Sequence, residues 1–376
     1  MSTRLLRSLP CRLTTAFRPR FASTSSGPVV IKPDHSEISQ GRLTSRNLEK
    51  GIRALREDGL VVIEDAVPHQ DLDHLNAKMV QDARKLQQRG EDMPFNYNVG
   101  NSKSAAPASP TPIPSTTHQS ENPISPTSNK QTNTHPLPLP TKTVQQDPPP
   151  TARYFPPSIF LNPLATHLTT THLGPSPKWT FCSGNTALPS GGSNSNPQRQ
   201  PVHSDADFAH PSHPFALVLN IPLIDFTPAN GSTELWLGTH SGAAWSGLQA
   251  QEGAQGERAS GRIREALLER RRAERGPCQP GVRKGSVVVR DLRLWHAGMP
   301  NLTEGEVRVM VAMIHFAGWY RNPMRLELGE SVKGVLEGEG GRDGLEVPVD
   351  WVRDEVAEER YLNRGFGNSY DFGQVE

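Results

Sequence analysis

Three short runs of Val, Ile and Leu limit the folds that this chain can adopt. They lie at 215–221, 285–291 and 307–315, and Gly, Pro and Asn residues punctuate the sequence between them. Runs of this length, rich in apolar and β-branched residues, predict buried strands. No glycine-rich phosphate loop follows a strand, so a Rossmann or P-loop fold is not supported. The sequence therefore favours a mainly β fold with flanking helices.

An α/β unit is predicted to precede these strands. It comprises a helix at 48–58, a strand at 60–64 and a helix at 68–89. Within the second helix, apolar residues recur every three or four positions, which predicts one buried stripe. The stripe consists of Leu72, Leu75, Met79, Ala83 and Leu86. We expect this helix to pack against the core and not to bind a cofactor.

Candidate metal ligands lie at the margins of the predicted strands. His203 and Asp205 are separated by one residue, so both side chains point to the same side of an extended strand. His296 follows the predicted strand 285–291. Two imidazoles and one carboxylate are the facial ligand set of a non-haem Fe(II) oxygenase. The alternative is that they are ordinary polar residues at strand ends.

Other residues in the sequence compete with these ligands. Asp207, His210 and His213 lie close to the dyad, but their surroundings read as turns, so we expect no metal contact from them. His240 and His315 are predicted to be structural.

Arg308 interrupts the apolar strand 307–315. A buried guanidinium without a partner costs several kcal/mol, so Arg308 must be paired. The planar guanidinium suits a carboxylate held through two hydrogen bonds. The distal carboxylate of 2-oxoglutarate fits this requirement.

In these motifs the sequence resembles the phytanoyl-CoA dioxygenase family of Fe(II)/2-oxoglutarate oxygenases. The resemblance extends from residues 59–63 through 145–149, the His203-Ser204-Asp205 dyad, 230–233 and 238–240 to His296 and Arg308. It implies a double-stranded β-helix, which is a cupin-like jelly roll whose two sheets enclose the metal at one open end.

The resemblance also implies roles for individual residues. His203, Asp205 and His296 would bind Fe(II), and Arg308 would anchor 2-oxoglutarate as cosubstrate. Gln200 and Thr233 are placed to hydrogen-bond the bound 2-oxoglutarate.

The reaction that the resemblance implies is hydroxylation or desaturation of a small organic substrate by O2, with release of succinate and CO2. Ascorbate is an optional reductant. Related halogenases lack the carboxylate ligand to admit chloride. Since Asp205 is present, halogenation is disfavoured.

Two other classes of function remain open. One is a cupin-like metal enzyme that does not use 2-oxoglutarate, for example a zinc hydrolase or an isomerase. The other is a non-catalytic binding module of the same fold. The sequence does not identify the primary substrate, the oligomeric state, or whether hydroxylation or desaturation occurs.

Changes in composition divide the chain into segments. Nine prolines among Ser, Thr and Asn mark 100–143 as a disordered insertion, or as an artefact such as a retained intron. The loop at 189–199 is expected to lie over the site, and a charged helix is predicted at 259–275. The predicted segments are a targeting or disordered N-terminus (1–30), the first part of the catalytic domain (47–99), the insertion (100–143), the jelly-roll core (144–330) and a C-terminal extension (331–376).

Charge and cysteine content exclude several classes of protein. The net charge of +1 creates no field favouring nucleic acid or an anionic membrane surface. No apolar run reaches the roughly 20 residues that span a bilayer, so no membrane partner is expected. The 3 cysteines are widely spaced and odd in number, which argues against a disulfide framework.

The composition of the N-terminus favours a mitochondrial location. This segment carries five arginines and no acidic residue before Asp34, which is typical of a mitochondrial presequence. Cytoplasmic and peroxisomal locations are the alternatives, although the C-terminus lacks a Ser-Lys-Leu-type signal.

Overall fold

The computed structural model describes residues 27–89, 143–190, 199–206, 213–241, 262–338 and 344–364. Within these residues the chain forms a mixed seven-stranded sheet, two pairs of short strands and several helices. The strands are β1 (Val29–Ile31), β2 (Leu60–Ile63), β3 (Thr143–Gln146), β4 (Lys178–Ala187), β5 (Ala216–Pro222), β6 (Glu234–Leu235), β7 (Val287–Asp291), β8 (His296–Ala297), β9 (Arg308–Phe316), β10 (Leu326–Gly329) and β11 (Val349–Val352).

The helices flank the sheet, and several begin at side-chain caps. Asp34 caps the first helix by accepting from the Glu37 amide, Thr44 caps the second, and Asn162 caps the fifth. The helices are α1 (His35–Gln40), α2 (Ser45–Glu57), α3 (His69–Gln88), α4 (Pro157–Phe160), α5 (Pro163–Leu173), α6 (Glu265–Glu274), α7 (Lys333–Glu337) and α8 (Asp354–Arg360).

The large sheet has the order β1-β2-β7-β5-β9-β4-β3. Only the β1–β2 pair is parallel, and the other neighbours are antiparallel. Because side chains alternate along a strand, each strand contributes to both faces of the sheet. One face packs against α2, α3 and α5 in the main hydrophobic core, where Leu219, Val289 and Val311 lie.

The opposite face, which we call the site face, carries Arg290 and Arg308. Arg290 pairs with Val218 of β5, and Val218 pairs with Ile314 of β9. Ile314 and Arg308 have the same parity along β9, so Arg290 and Arg308 point to the same face. The site face therefore holds two guanidinium groups, one on β7 and one on β9.

Short extended segments cover the site face. β6 pairs with β8, and isolated bridges join His203 to both His296 and Arg262, and Leu235 to Cys278. Leu235, Leu237 and Leu294 of this layer pack against Leu60 and Val62 of β2. A second, smaller layer of strands thus lies on the site face, an arrangement consistent with a cupin-like fold.

The structure confirms most of the predicted elements. α2, β2 and α3 lie where the α/β unit was expected, and the predicted apolar stripe of α3 is buried. The three apolar runs form β5, β7 and β9. A charged helix also occurs within 259–275, as α6, whose exposed Arg270 and Arg272 pair with neighbouring glutamates.

Two of the predicted segment boundaries separate residues that pair with each other in the structure. The N-terminal segment was predicted to extend to residue 30, but Val29 and Val30 already pair with β2. The C-terminal extension was predicted to begin at 331, yet β11 pairs with β10 across that boundary. Val332, Leu336 and Val349 lie in the main core. The C-terminal residues therefore complete the core, which a sequence boundary placed at the end of the jelly-roll motifs could not reveal.

Other predictions lie outside the described residues. These are the targeting segment up to residue 26, the insertion apart from Thr143, and most of the loop at 189–199. Among the described helices, none combines the length and the apolar character needed to cross a membrane.

Candidate metal centre

His203, Asp205 and His296 lie together at the site face. One ligand atom from each residue lies within 4.8 Å of the others. His203 Nε2 is 3.5 Å from Asp205 Oδ1, and His296 Nε2 is 3.6 Å from Asp205 Oδ2. The three predicted ligands therefore converge on one point, as a shared metal ion requires.

Both imidazoles present their Nε2 atoms to this point. Nδ1 of His203 lies 2.9 Å from the carbonyl oxygen of Pro201, and Nδ1 of His296 lies 3.0 Å from that of Leu294. A carbonyl only accepts, so each Nδ1 carries the proton and donates it. The neutral ring is then left with a lone pair on Nε2, which is the tautomer that binds a metal.

The first histidine is held by hydrogen bonds between backbone segments. His203 and His296 exchange amide-to-carbonyl hydrogen bonds of 2.9 and 3.0 Å, and their ring centroids are 4.3 Å apart. On the other side, Ile263 donates to the carbonyl of Val202. The Ser204 hydroxyl donates to the carbonyl of Arg293. The dyad is therefore fixed from both sides, although it is too short to form a regular strand.

The second histidine is supported by the turn at 238–240. The Thr239 hydroxyl accepts from the amide of Trp295 at 3.0 Å and donates to the carbonyl of Trp236. His240 packs against Gly59, which has φ +75, and a Cβ at that glycine would collide with the imidazole. The motifs at 59–63 and 238–240 therefore stabilise the chain beside His296 through hydrogen bonds and packing.

Charge holds Asp205 in its ionised form. Burial alone would raise the pKa of this carboxyl, but the Arg290 guanidinium, with His296 and His203, holds the pKa well below its usual range. Arg290 Nη2 donates to Asp205 Oδ2. Asp205 is therefore a carboxylate at neutral pH, as a metal ligand must be.

Burial and charge also keep His296 neutral. Burial, followed by the nearby Arg290 guanidinium, holds the pKa of His296 well below its usual range despite the opposing effect of Asp205. An imidazole of lowered pKa stays unprotonated at neutral pH. His296 therefore offers its lone pair without first losing a proton.

Arg308 is buried on the site face without an acidic partner among the described residues. Its exposed fraction is 3%, and its Nη2 makes one hydrogen bond of 3.4 Å to Asn185 Oδ1. In the described part of the chain its Nε finds no hydrogen-bond partner, and its guanidinium lies over the ring of Phe226 at 4.9 Å. Burial lowers the pKa of Arg308 to about 10, so the group remains charged at neutral pH. Burial of this cation calls for an anion, and no described carboxylate pairs with it.

Gln200 and Thr233 belong to the two segments that flank the chain at β8. The Gln200 side-chain oxygen accepts from the Gly298 amide at 2.7 Å, so this oxygen helps to align the strand. Thr233 immediately precedes β6, whose Leu235 pairs with His296. Their contact with 2-oxoglutarate stays a prediction.

The motif at 230–233 forms a tight turn. The Asn230 side chain donates to the carbonyl of Asp225 and to Glu306, and accepts from the amide of Thr227. Gly231 has φ +84, and a Cβ there would meet the backbone of Met299 and Pro300. The asparagine and the glycine therefore set the position from which Thr233 enters β6.

The competing histidines lie elsewhere. His315 points to the main core, where its Nδ1 lies 3.0 Å from the Thr169 hydroxyl, and burial lowers its pKa to about 3. His240 packs behind the centre, as described above. His213 is exposed, while Asp207 and His210 lie outside the described residues.

Sequence reasoning missed the roles of Arg290, Asn220 and Asn185. Arg290 contacts Asp205, Asn220 accepts from Arg290 Nε at 3.3 Å, and Asn185 accepts from Arg308. The signal for Arg290 was the same as for Arg308, namely a charge inside an apolar strand. The signal was overlooked because Asp291 follows Arg290, so the two charged residues together look like the polar end of the strand.

Comparison with known proteins supports one family. The family profile described as phytanoyl-CoA dioxygenase (PhyH) matches residues 55–310. This range includes the three predicted metal ligands and Arg308.

Solved structures offer weaker likenesses. AviO1 from Streptomyces viridochromogenes Tue57 is 17% identical, with a TM-score of 0.43, and the match covers 74% of this chain and 99% of AviO1. The epimerase SnoN, crystallised with Fe3+, alpha ketoglutarate and nogalamycin RO, is 14% identical with a TM-score of 0.44, and the match covers 75% of this chain and 94% of SnoN. At these values the structural likeness carries no function to the present chain.

Proposed function

The chain belongs to the phytanoyl-CoA dioxygenase family, and from this premise we propose that it is an Fe(II)- and 2-oxoglutarate-dependent dioxygenase. The proposed reaction consumes 2-oxoglutarate and O2 and releases succinate and CO2. One oxygen atom enters succinate, and the other hydroxylates a C–H bond of a small organic substrate. Desaturation is the variant in which the substrate loses two hydrogens and the second oxygen leaves as water.

One observation carries this proposal. A two-histidine, one-carboxylate cluster lies at the same face as a buried guanidinium that lacks an acidic partner among the described residues. The cluster alone would suit several divalent metals. The added cation favours a cosubstrate that bears a second carboxylate, which is the feature that distinguishes 2-oxoglutarate from a simple keto acid.

The donor atoms fit Fe(II). Two Nε2 atoms with fixed tautomers and one ionised carboxylate would occupy one face of an octahedral ion and leave the opposite face open. When bound, the metal would supply the redox chemistry that couples decarboxylation of the keto acid to reduction of O2.

The side chains of this protein would bind and orient the reactants. Arg308 would hold the distal carboxylate of 2-oxoglutarate through its unpaired Nε and a terminal nitrogen. Asn185, which contacts Nη2, would keep the guanidinium in place. The apolar neighbours of Arg308 would limit competing water and so strengthen the charge pairing.

We further propose that the two layers form the double-stranded β-helix of this family. The bridges linking Arg262, His203, His296, Leu235 and Cys278 support this topology, because they connect the short segments into one layer over the large sheet. In this fold the substrate would be selected by the loops around the open end.

The direct test is turnover of 2-oxoglutarate without a primary substrate. Purified protein supplied with Fe(II), ascorbate and 2-oxoglutarate should release succinate, while protein without metal should not. Wild-type protein that binds iron but never decarboxylates 2-oxoglutarate would contradict the proposal and favour a metal enzyme of another class. Thermal stabilisation by Mn(II) alone, with no added effect of 2-oxoglutarate, would point the same way.

A further inference from the structure

The side chain of Arg290 points from β7 toward the candidate metal centre. Val287 and Val289 of β7 lie in the main core, so Arg290 of the same strand points to the site face. Its side chain is 6% exposed. A guanidinium buried to this extent must find partners within the protein.

Its partners are a metal ligand and an amide. Nη2 donates to Asp205 Oδ2, and Nε donates to Asn220 Oδ1 at 3.3 Å. Among the described residues, Arg290 is the one arginine or lysine that forms an ion pair with Asp205. Asn220 lies on β5, the neighbouring strand, so two strands of the rigid sheet fix the guanidinium.

The contact distinguishes the two oxygens of the carboxylate. Oδ2 is held by Arg290, whereas Oδ1 lies 3.5 Å from His203 Nε2 without an arginine contact. A carboxylate that turned freely could offer both oxygens to a metal and occupy an additional coordination position. An oxygen already engaged by a guanidinium is a poorer ligand.

We propose that Arg290, anchored by Asn220, is a positioning residue that restricts Asp205 to coordination through Oδ1. This inference rests on the proposed metal centre and adds to it. Fixing the carboxylate would keep the remaining positions free for 2-oxoglutarate and O2. It would also pre-align the ligand, and loss of such supporting contacts typically weakens metal binding by about 10–100-fold.

Arg293 provides a matched control. Its side chain is 7% exposed and pairs with a buried aspartate, Asp291, through hydrogen bonds of 2.7 and 2.8 Å. Both Arg290→Gln and Arg293→Gln therefore remove a buried guanidinium that faces an aspartate. Among the described residues, the ion pair of Arg290 is with a residue of the metal cluster, whereas that of Arg293 is with Asp291. The Arg293 carbonyl, which accepts from Ser204, is backbone and is kept in Arg293→Gln.

The experiment measures binding of Mn(II), which requires no turnover. Titrations followed by electron paramagnetic resonance should show Mn(II) affinity reduced about 10–100-fold in Arg290→Gln. Arg293→Gln should stay within about twofold of wild type once unfolding curves confirm that it is folded. A crystal structure of the Mn(II) complex should show Asp205 bound through one oxygen in wild type and through both in Arg290→Gln.

A milder variant covers the case in which Arg290→Gln does not fold. Asn220→Ala removes the anchor of Nε without leaving a charge unpaired, and it should lower Mn(II) affinity by a few-fold. Unchanged affinity in the folded Arg290 variant, or in Asn220→Ala if that is the variant that folds, would overturn the inference. So would an equal loss in Arg293→Gln.

The outcomes separate this inference from the proposed function. Wild-type protein that binds Mn(II) through one Asp205 oxygen but never forms succinate would contradict the function and leave the role of Arg290 supported. Wild-type protein that binds no Mn(II) would overturn both.

Discussion

In two regions of the molecule an aspartate faces an arginine: Asp205 faces Arg290, and Asp147 faces Arg364. The pKa values of the two carboxyls are nevertheless shifted from the ordinary value in opposite directions. The pKa of Asp205 lies well below its usual range, as described above. Burial raises the pKa of Asp147 to about 7, even though Arg364 Nη1 lies 3.6 Å from Oδ2.

The difference lies in how many donors reach each carboxylate. Asp205 receives a hydrogen bond from Arg290 and lies beside two imidazoles. Neither oxygen of Asp147 has a hydrogen-bond partner among the described residues, and Arg364 also pairs with Glu327. Burial therefore does not make a carboxylate a ligand. Hydrogen-bond donors and nearby positive charges keep a buried carboxylate ionised, and an oxygen that they leave unengaged can then bind a metal.

The largest expected effect follows from removing the carboxylate of the site face. Asp205→Ala should reduce Mn(II) affinity and succinate formation by more than about 100-fold, because loss of a direct ligand exceeds the loss of a supporting contact. Asp147→Asn should leave both within about threefold of wild type. Equal losses in the two variants, measured by titration and by succinate assay on folded protein, would erase the distinction between the two regions.

Removing the guanidinium that lacks an acidic partner should have the next largest effect. Arg308→Ala should weaken 2-oxoglutarate binding by about 30- to 1,000-fold, since a buried charge pair lost on one side costs about 2–4 kcal/mol. Mn(II) binding should be retained. Asn185→Ala, which removes only the 3.4 Å contact, should weaken 2-oxoglutarate binding far less. An unchanged Michaelis constant for 2-oxoglutarate in Arg308→Ala would remove this residue from the site.

The pH dependence of stability tests the other aspartate. A carboxyl whose pKa rises from 3.8 to about 7 on folding contributes stability that is complete below pH 3.8 and is lost as the pH rises toward 7. The full change is about 4 kcal/mol. The free energy of unfolding of wild type minus that of Asp147→Asn should therefore fall between pH 4 and 7. Chemical denaturation at several pH values measures it, and a constant difference would show that Arg364 already keeps Asp147 ionised.

The smallest effects are expected at the two neutral residues beside β8. Thr233→Val removes one hydroxyl and should weaken 2-oxoglutarate binding by up to about tenfold, which is the range of a single neutral hydrogen bond. Gln200→Ala should also lower the free energy of unfolding by about 1 kcal/mol, because its oxygen accepts from Gly298. Stability loss without any change in 2-oxoglutarate affinity would limit Gln200 to a structural role.

Local sequence was sufficient to predict β2, β5, β7 and β9 and the three residues of the candidate metal cluster. Strand periodicity is a property of neighbouring residues, and His203 and Asp205 are nearly adjacent. The importance of Arg308 could also be predicted from the sequence, because a charge inside an apolar strand is unusual. Each of these features is encoded within a few residues of the chain.

Contacts between residues that lie far apart in the sequence could not be predicted from it. Nothing near Asp205 in the sequence points to Arg290, and nothing near Asp147 points to Arg364. Both pairs depend on how strands and the C-terminal segment are arranged in space. The pairing of β10 with β11 was missed for the same reason, since parallel strands carry no turn signal between them.

The two histidines share a local device, in which each ring donates to the carbonyl two residues before it. Each imidazole therefore carries its own orienting partner within a tripeptide. The protonated nitrogen of each ring is thus set by the backbone and not by a side chain of the surrounding loops. Substitution of neighbouring loop side chains should therefore leave the orientation of both rings in the candidate metal cluster unchanged.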